Sequence, residues 1–104
     1  MNRRLRWLIA ARLDLLELLD WIADRSDIDT GEAYVFGVET HALRLTQYPL
    51  IGSPRNDLSV GLRSLTHSRR TIIFYRVAAD NIVEIVRISH GGRNLDAMFA
   101  DDDD

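Results

Sequence analysis

Hydrophobic and polar positions follow two different periods along this chain, and the change of period marks where strands give way to helices. Leu5, Trp7 and Ile9 alternate with their neighbours, which predicts a short first strand over about residues 3–9. From residue 11 the apolar residues recur at helical spacing, which predicts an amphipathic helix to about residue 25. The stripe consists of Ala11, Leu15, Leu18, Leu19 and Ile22, with Asp14, Glu17, Asp20 and Asp24 mostly on the opposite side.

A second helix is expected after the loop at Ser26–Ile28. Asp29 followed by Glu32 resembles a capping box that opens this helix. Pro49 ends it near residue 47, because the residue before a proline avoids the helical region. Its predicted buried stripe is Ala33, Phe36, Thr40 and Leu43. The short loop between the two helices predicts an antiparallel helical hairpin.

Strands are predicted in the second half, at about residues 60–66, 70–78 and 82–89. The last two flank Ala78-Ala79-Asp80-Asn81, a connection typical of a β-hairpin, and a three-residue loop would place Arg76 opposite Glu84. A short helix is expected from Asn94 to about Phe99. The order β-α-α-β-β-β(-α) predicts an α+β domain over residues 1–100, with a helical hairpin on one face of a largely antiparallel sheet.

Composition narrows the class of protein. A chain of 104 residues has room for one core. The absence of cysteine excludes disulfides and thiolate zinc sites and fits a reducing, cytoplasmic environment. No apolar run approaches the roughly 20 residues that span a bilayer. Arg12 and Asp14 interrupt the apolar segment after the N-terminal arginines, which argues against a secretory signal.

The net charge of −3 comes from the C-terminal aspartates, and the rest of the chain is nearly neutral. Asp101 to Asp104 form an acidic run that we expect to be solvated, and without its four charges residues 1–100 carry +1. All 13 basic residues are arginine. Binding along a nucleic acid calls for a strongly basic face, so this modest charge favours a protein target and argues against direct sequence-specific binding of nucleic acid.

The last strand ends in Ser89-His90-Gly91-Gly92-Arg93, which brings an imidazole and a guanidinium to one flexible segment. With Arg63 and Arg76, these residues could handle phosphate or dock on an acidic partner. If the protein is a nuclease, His90 would transfer protons while Arg63 and Arg76 hold phosphate. The alternative is that His90, at the end of the strand, caps a carbonyl or packs on the C-terminal helix.

The two other histidines carry less weight. We expect His41, in mid-helix, and His67, in a turn, to face solvent. Three histidines so far apart in sequence, without cysteine, argue against a metal site, and no cofactor is expected.

Over nearly its whole length the chain resembles the ParE branch of the RelE/ParE toxins, which belong to bacterial toxin–antitoxin pairs. The residues of the helical hairpin that carry the resemblance are Ala11, Asp14-Leu15, Leu18, Trp21-Ile22 and Ala33. Those of the loop and the strand after it are Pro49, Gly52, Arg55, Asp57-Leu58 and Gly61-Leu62-Arg63. Those of the closing hairpin and tail are Tyr75-Arg76-Val77, Ile85, Arg87-Ile88, His90-Gly91 and Arg93-Asn94, the last in place of the usual Arg-Asp.

The resemblance implies an inhibitor of DNA gyrase without a catalytic set. RelE-like members of the superfamily instead resemble ribosome-dependent mRNA endonucleases, and a catalytically silent binding domain is a third reading. The chain has no lysine, which removes one common RelE-type base. The expected target-binding residues are Arg93, His90, Arg63 and Arg76.

A cognate, ParD-like antitoxin is the second partner that the resemblance implies. Some apolar residues lie outside the predicted core stripes, and exposed apolar surface marks a partner site. We therefore expect the antitoxin to lie over the helical hairpin and the sheet edge as an extended segment. Its expected contacts are Leu13, Leu16, Tyr34 and Val38.

Overall fold

The computed structural model describes residues 3–92 and 94–100, and Arg93 and the Asp101–Asp104 run lie outside the described residues. Strand β1 (Arg4–Trp7) leads into helices α1 (Ile9–Arg25) and α2 (Ile28–Ala42), which ends in a 3₁₀ turn (Leu43–Thr46). Strands β2 (Ser53–Pro54), β3 (Leu62–His67), β4 (Thr71–Val77) and β5 (Ile82–His90) follow, and then helix α3 (Leu95–Met98). The predicted α+β order is confirmed, with the 3₁₀ turn and the two-residue β2 added.

The five strands form one mixed sheet in the order β1-β5-β4-β3-β2. β1 runs parallel to β5, and the other pairs are antiparallel. The predicted hairpin register is confirmed, because Arg76 lies opposite Glu84, which is also ion-paired with Arg6. Asp80 and Asn81 both have φ of 62°, a left-handed conformation that these two residue types tolerate in tight hairpin turns.

Helices α1 and α2 cover one face of the sheet, and the main core lies between them and the strands. The predicted α1 stripe is confirmed, since Ala11, Leu15 and Leu18 are buried. The predicted α2 stripe is wrong. Phe36 and Leu43 are 68% and 56% exposed, and the α2 residues that are buried instead are Gly31, Val38 and Ala42.

Gly31 explains the choice of face on α2. Both candidate stripes have helical spacing, so periodicity alone cannot separate them. A Cβ atom at Gly31 would lie 2.9 Å from Leu19 Cδ1 and 3.1 Å from the Leu19 carbonyl oxygen. The absent side chain therefore lets α1 and α2 approach closely on this face.

The start of α2 also differs from the prediction. Asp27, and not Asp29, is the N-cap residue, and its carboxylate accepts a 2.7 Å hydrogen bond from the Thr30 backbone N–H. This bond lowers the pKa of Asp27 below its ordinary value of 3.8. The helix begins earlier because an aspartate in extended conformation before Ile28 already satisfies the first turn.

The opposite face of the sheet carries a smaller apolar cluster, formed by Leu58, Leu62, Phe74, Val86 and Phe99. A bulge shifts the register between β4 and β5, because Phe74 pairs with Arg87 whereas Tyr75 pairs with Ile85. The extra residue is Val86, and it changes the alternation of side chains along the last part of β5. The bulge thus determines which side chains β5 presents near its end.

Candidate functional site

The strand register brings three polar residues into one row across the sheet. His67 at the end of β3 pairs with Thr71 at the start of β4, and Thr71 pairs with His90 at the end of β5. Directly paired residues point to the same face of a sheet. We call His67, Thr71 and His90 the end row, and it lies on the face that the helices cover.

Helices α1 and α2 place aromatic side chains over the end row. Tyr34 Oη lies 2.6 Å from Thr71 Oγ1, which in turn lies 2.8 Å from His90 Nδ1. The Trp21 ring meets the His90 ring edge-on at 5.1 Å between centroids. Tyr34 Oη also lies 2.8 Å from Ser68 Oγ in the turn after β3. His90 is therefore held by packing and by a hydrogen-bonded chain. These contacts are with the Thr71 hydroxyl and with Trp21 of α1, whereas the structural alternative predicted a carbonyl cap or packing on the C-terminal helix.

His41 and His67 form a pair, contrary to the expectation that both face solvent. Their Nδ1 atoms lie 2.9 Å apart, and both residues are half-buried. Burial is the main cause that lowers the pKa of His41 below 6.5, followed by the charges of His67 and Arg44. The prediction failed because 26 residues of sequence separate two side chains that the α2–β3 packing brings together.

A partly buried ion pair fixes the outer edge of the sheet beside this row. Asp14 on α1 accepts hydrogen bonds from Arg87 Nε and Nη2 at 2.8 and 2.9 Å, and from the Ile88 backbone N–H at 2.9 Å. β1 pairs with β5 only as far as Ile85, and among the described residues no strand lies beside the rest of this β5 edge. Asp14 accepts the backbone hydrogen bond that a neighbouring strand would otherwise accept there. The prediction that Asp14 lies on the polar side of α1 is therefore wrong.

Two cavities flank the wall that Trp21 and His90 form. One of about 280 Å³ lies between α1 and the end of β5 and is lined partly by the acidic residues Asp14 and Glu17. The other, of about 480 Å³, has Arg69 and Arg70 in its lining. The two sides of the wall therefore differ in charge.

The predicted phosphate-binding arginines do not converge on His90. Arg63 pairs with Tyr75, and its Nη2 donates to the carbonyl oxygens of Leu50 and Gly52 at 3.1 and 2.7 Å. Arg76 follows Tyr75 on the opposite face and donates to Ser59 Oγ at 2.8 Å. At about 3.3 Å per residue, four and five strand positions separate them from the end row by roughly 13 and 17 Å.

The four residues predicted to contact an antitoxin divide into three groups. Leu13 and Leu16 are 54% and 58% exposed, so both can meet a partner. Tyr34 is half-buried, and its hydroxyl bonds to Thr71 and Ser68. Val38 is fully buried in the main core, which corrects its prediction as a contact residue. Val38 belongs to the α2 face that packs on the sheet.

The sequence contained a signal for Asp14 that the helical pattern obscured. Asp14 lies three residues after Ala11 and four before Leu18, which places it on the buried stripe of α1. An acid on a buried stripe needs a cation nearby, and Arg87 interrupts the apolar run of the last strand. Nothing in the sequence indicates the Tyr34–Thr71 hydrogen bond, because a tyrosine in a helix and a threonine in a strand are both common.

The described residues contain neither a three-residue metal-binding cluster nor a membrane-spanning helix. Within residues 3–92 and 94–100, no group of three or more histidine, cysteine, aspartate or glutamate side chains is placed to hold a metal ion. In the same part of the chain, no helix has both the length and the apolar character to cross a bilayer.

Comparisons with known proteins place this architecture in a family. The family model described as the ParE toxin of type II toxin–antitoxin systems matches residues 5–95. Toxin ParE1 of Mycobacterium tuberculosis is 30% identical over 87 residues, which cover 84% of this chain and 88% of the relative.

Solved structures agree on the fold. A chain of the chromosomal ParDE system from P. aeruginosa superposes with a TM-score of 0.77 at 23% identity, covering 88% of this chain and 98% of that one. A chain of the RelBE2 toxin–antitoxin complex from Mycobacterium tuberculosis gives 0.57 at 24% identity, covering 86% and 99%. With the family match over residues 5–95, the chain belongs to the ParE toxin family of type II toxin–antitoxin systems.

Proposed function

We propose that this toxin arrests growth by binding DNA gyrase, does not cleave RNA, and is neutralised by a ParD-like antitoxin in the cytoplasm. The observation that carries the proposal is the dispersal of His90, Arg63 and Arg76 over two faces of the sheet. An RNase needs its proton-transfer group and its phosphate-binding cations around one phosphate. The gyrase target itself comes from the resemblance to ParE-type toxins.

The surroundings of His90 support a structural role for this side chain and not a role in proton transfer. Its Nδ1 is engaged with Thr71, and its ring packs edge-on against Trp21. A glutamine can keep the polar contact to Thr71, although it loses the ring contact. In a binder, His90→Gln should therefore retain most toxicity, whereas in a nuclease it would abolish proton transfer near neutral pH.

Arg93 lies outside the described residues and stays a predicted target-binding residue. Gly91, with φ of 77°, and Gly92 precede it, and a guanidinium there can make a two-pronged contact to a carboxylate or phosphate. We expect Arg93→Ala to lose most toxicity while His90→Gln keeps it. The comparison is made as growth arrest at matched soluble levels, with melting curves for both variants.

The direct test separates the two activities. Purified toxin should inhibit gyrase supercoiling or trap cleaved DNA, and should leave mRNA on translating ribosomes intact. Arg4→Ala, which removes an exposed arginine from β1, is the matched control for Arg93→Ala. Codon-specific mRNA cuts with unchanged supercoiling would overturn the proposal and favour the RelE-type reading. A folded chain with neither activity would favour a silent binding domain.

For the antitoxin, the structure supports a revised contact surface on α1. Ile9, Leu13 and Leu16 are 78%, 54% and 58% exposed and follow helical spacing along one stripe. An extended segment that folds on binding can cover such a stripe. Leu13→Glu with Leu16→Glu should weaken antitoxin binding at least tenfold without unfolding the domain, because both side chains are exposed. Val60→Glu, at an 84% exposed position after β2, is the control, and unchanged affinity of the double variant would place the interface elsewhere.

A further inference from the structure

We propose that His41 and His67 form a two-histidine site for a divalent transition-metal ion of the zinc and nickel type, where α2 meets the end of β3. Neither residue has a part in the proposed binding of gyrase or antitoxin. The inference rests on the geometry of the pair, so it stands or falls independently of the target.

The two nitrogens are close to the separation that a metal ion requires. Zinc–imidazole bonds of about 2.0–2.1 Å in tetrahedral geometry place two bound nitrogens roughly 3.4 Å apart. The Nδ1 atoms of His41 and His67 are 2.9 Å apart. Small rotations of the two rings, opening the pair by about half an ångström, would admit the ion, and the Nδ1 atoms already face each other.

The backbone around the pair leaves room for both rings. Gly37 lies one turn before His41 on α2, and a Cβ atom there would be 3.8 Å from His67 Cε1. The His67 ring thus lies beside a helix position without a side chain, and the Tyr34 ring meets the His67 ring edge-on at 5.5 Å between centroids. Both histidines are held by rigid elements, which favours a defined ligand geometry.

The pair suits ions that prefer imidazole nitrogen over oxygen ligands. In the hydrogen-bonded pair one ring donates its Nδ1 proton to the other. On metal binding that proton would move to Nε2 of the same ring through solvent, so both rings stay neutral and both Nδ1 lone pairs bind the ion. Both residues are only half-buried, so water can complete the coordination. The charge of Arg44, which acts on His41, opposes the cation and limits the affinity.

The site-specific test is nitrogen NMR of the histidine rings in the purified chain, titrated with Zn²⁺ and, separately, with Mg²⁺. We expect Zn²⁺ to shift the Nδ1 resonances of His41 and His67, to leave those of His90 in place, and to raise the unfolding midpoint. Mg²⁺, which prefers oxygen ligands, should do neither. Ring nitrogens that do not respond to Zn²⁺ would overturn the proposal.

Variants provide the second measurement. His41→Gln and His67→Gln should each lower Zn²⁺ affinity at least tenfold in calorimetry, whereas His90→Gln, which removes the third histidine, should keep it. Equal affinity in all three variants would show that Zn²⁺ binds elsewhere and would overturn the assignment. If either glutamine variant fails to fold, the ring-nitrogen titration of the unaltered chain decides by itself.

Discussion

Two polar arrangements join the helices to the sheet, and they differ in how they use charge. At the β5 edge, Asp14 and Arg87 form a bidentate ion pair, and the Asp14 side chain is only 5% exposed. Across the end row, His67, Thr71 and His90 meet Tyr34 and His41 through single hydrogen bonds between hydroxyl and imidazole groups.

The difference follows from what each region must satisfy. An open sheet edge leaves backbone N–H groups that need a fixed acceptor, and the Asp14 carboxylate serves both Ile88 and Arg87. Hydroxyl and imidazole groups can exchange donor and acceptor roles. The end row can therefore lose one partner and rearrange, whereas the ion pair cannot. This contrast predicts unequal sensitivity to mutation.

The largest effect is expected for Asp14→Ala. It removes the acceptor of Arg87 Nε, Arg87 Nη2 and the Ile88 N–H. Breaking a buried pair from one side costs about 3–5 kcal/mol, and because the Arg87 side chain is 25% exposed we expect a loss near the lower end, about 3 kcal/mol. Urea unfolding measures the loss. Asp20→Ala, an exposed acid on the same helix, is the control, and a loss below 1 kcal/mol for Asp14→Ala would break the comparison.

Asp14→Asn sharpens the same point. The amide keeps an oxygen for the Ile88 N–H but removes the charge opposite Arg87. We expect a loss of about 2 kcal/mol, the size of a hydrogen bond to a charged group. Stability equal to that of Asp14→Ala would instead show that the charge alone matters and that the edge contact contributes nothing.

Tyr34→Phe tests the tolerance of the end row. The change removes the hydroxyl bonds to Thr71 and Ser68, but Thr71 keeps His90 as a partner. We therefore expect a loss of about 1 kcal/mol, measured by the same urea unfolding. Tyr48→Phe, at a 56% exposed position, is the control. A loss as large as that of Asp14→Ala would show that the row is no more adaptable than the ion pair.

The smallest effect concerns Asp27, an exposed acid that serves as a reference for both regions. Its folded pKa lies below 3.8 because the Thr30 N–H binds the carboxylate. The charge therefore stabilises the fold above pH 3.8, and this contribution disappears as the pH falls through the folded pKa. Asparagine can still cap the helix, so Asp27→Asn should be slightly less stable than the unaltered chain at pH 6, and the difference should shrink as the pH falls below 3.8.

Urea midpoints between pH 2.5 and 6 measure that difference, with Asp24→Asn, at an exposed position on α1, as the control. A difference that grows toward low pH would contradict the sign of the Asp27 effect.

The sequence predicted the positions of the helices and strands better than it predicted which face of each one is buried. Strand β4, strand β5 and the Arg76–Glu84 register follow from alternation and from the Asp80–Asn81 turn, which are local features. The α2 stripe failed because two sets of residues share one period. When a helix has apolar residues on two sides, the elements packed around it decide which side is buried. Here the close approach of Gly31 to Leu19 favours burial of the side that carries Gly31.

For the candidate site, residue types were visible in the sequence and their contacts were not. His90 and the arginines stand out in any reading of the chain, but the strand register separates Arg63 and Arg76 from His90. The same register joins His67, Thr71 and His90 from three strands.

The sequence by itself determined the α+β class, the α1 core stripe, the closing hairpin and the resemblance to the ParE toxins, because each depends on local periodicity, turn residues or ordered motifs. The tertiary structure alone decided that Val38 is buried, that Asp14 closes the β5 edge, and that His41 meets His67. These contacts join residues 26 to 74 positions apart, or depend on which helix face packs on the sheet. Such choices depend on how whole elements pack against each other. The spacing of Asp14 indicates that it is buried, but no local pattern specifies the sheet edge that it closes, the face of α2 that is buried, or the pairing of His41 with His67.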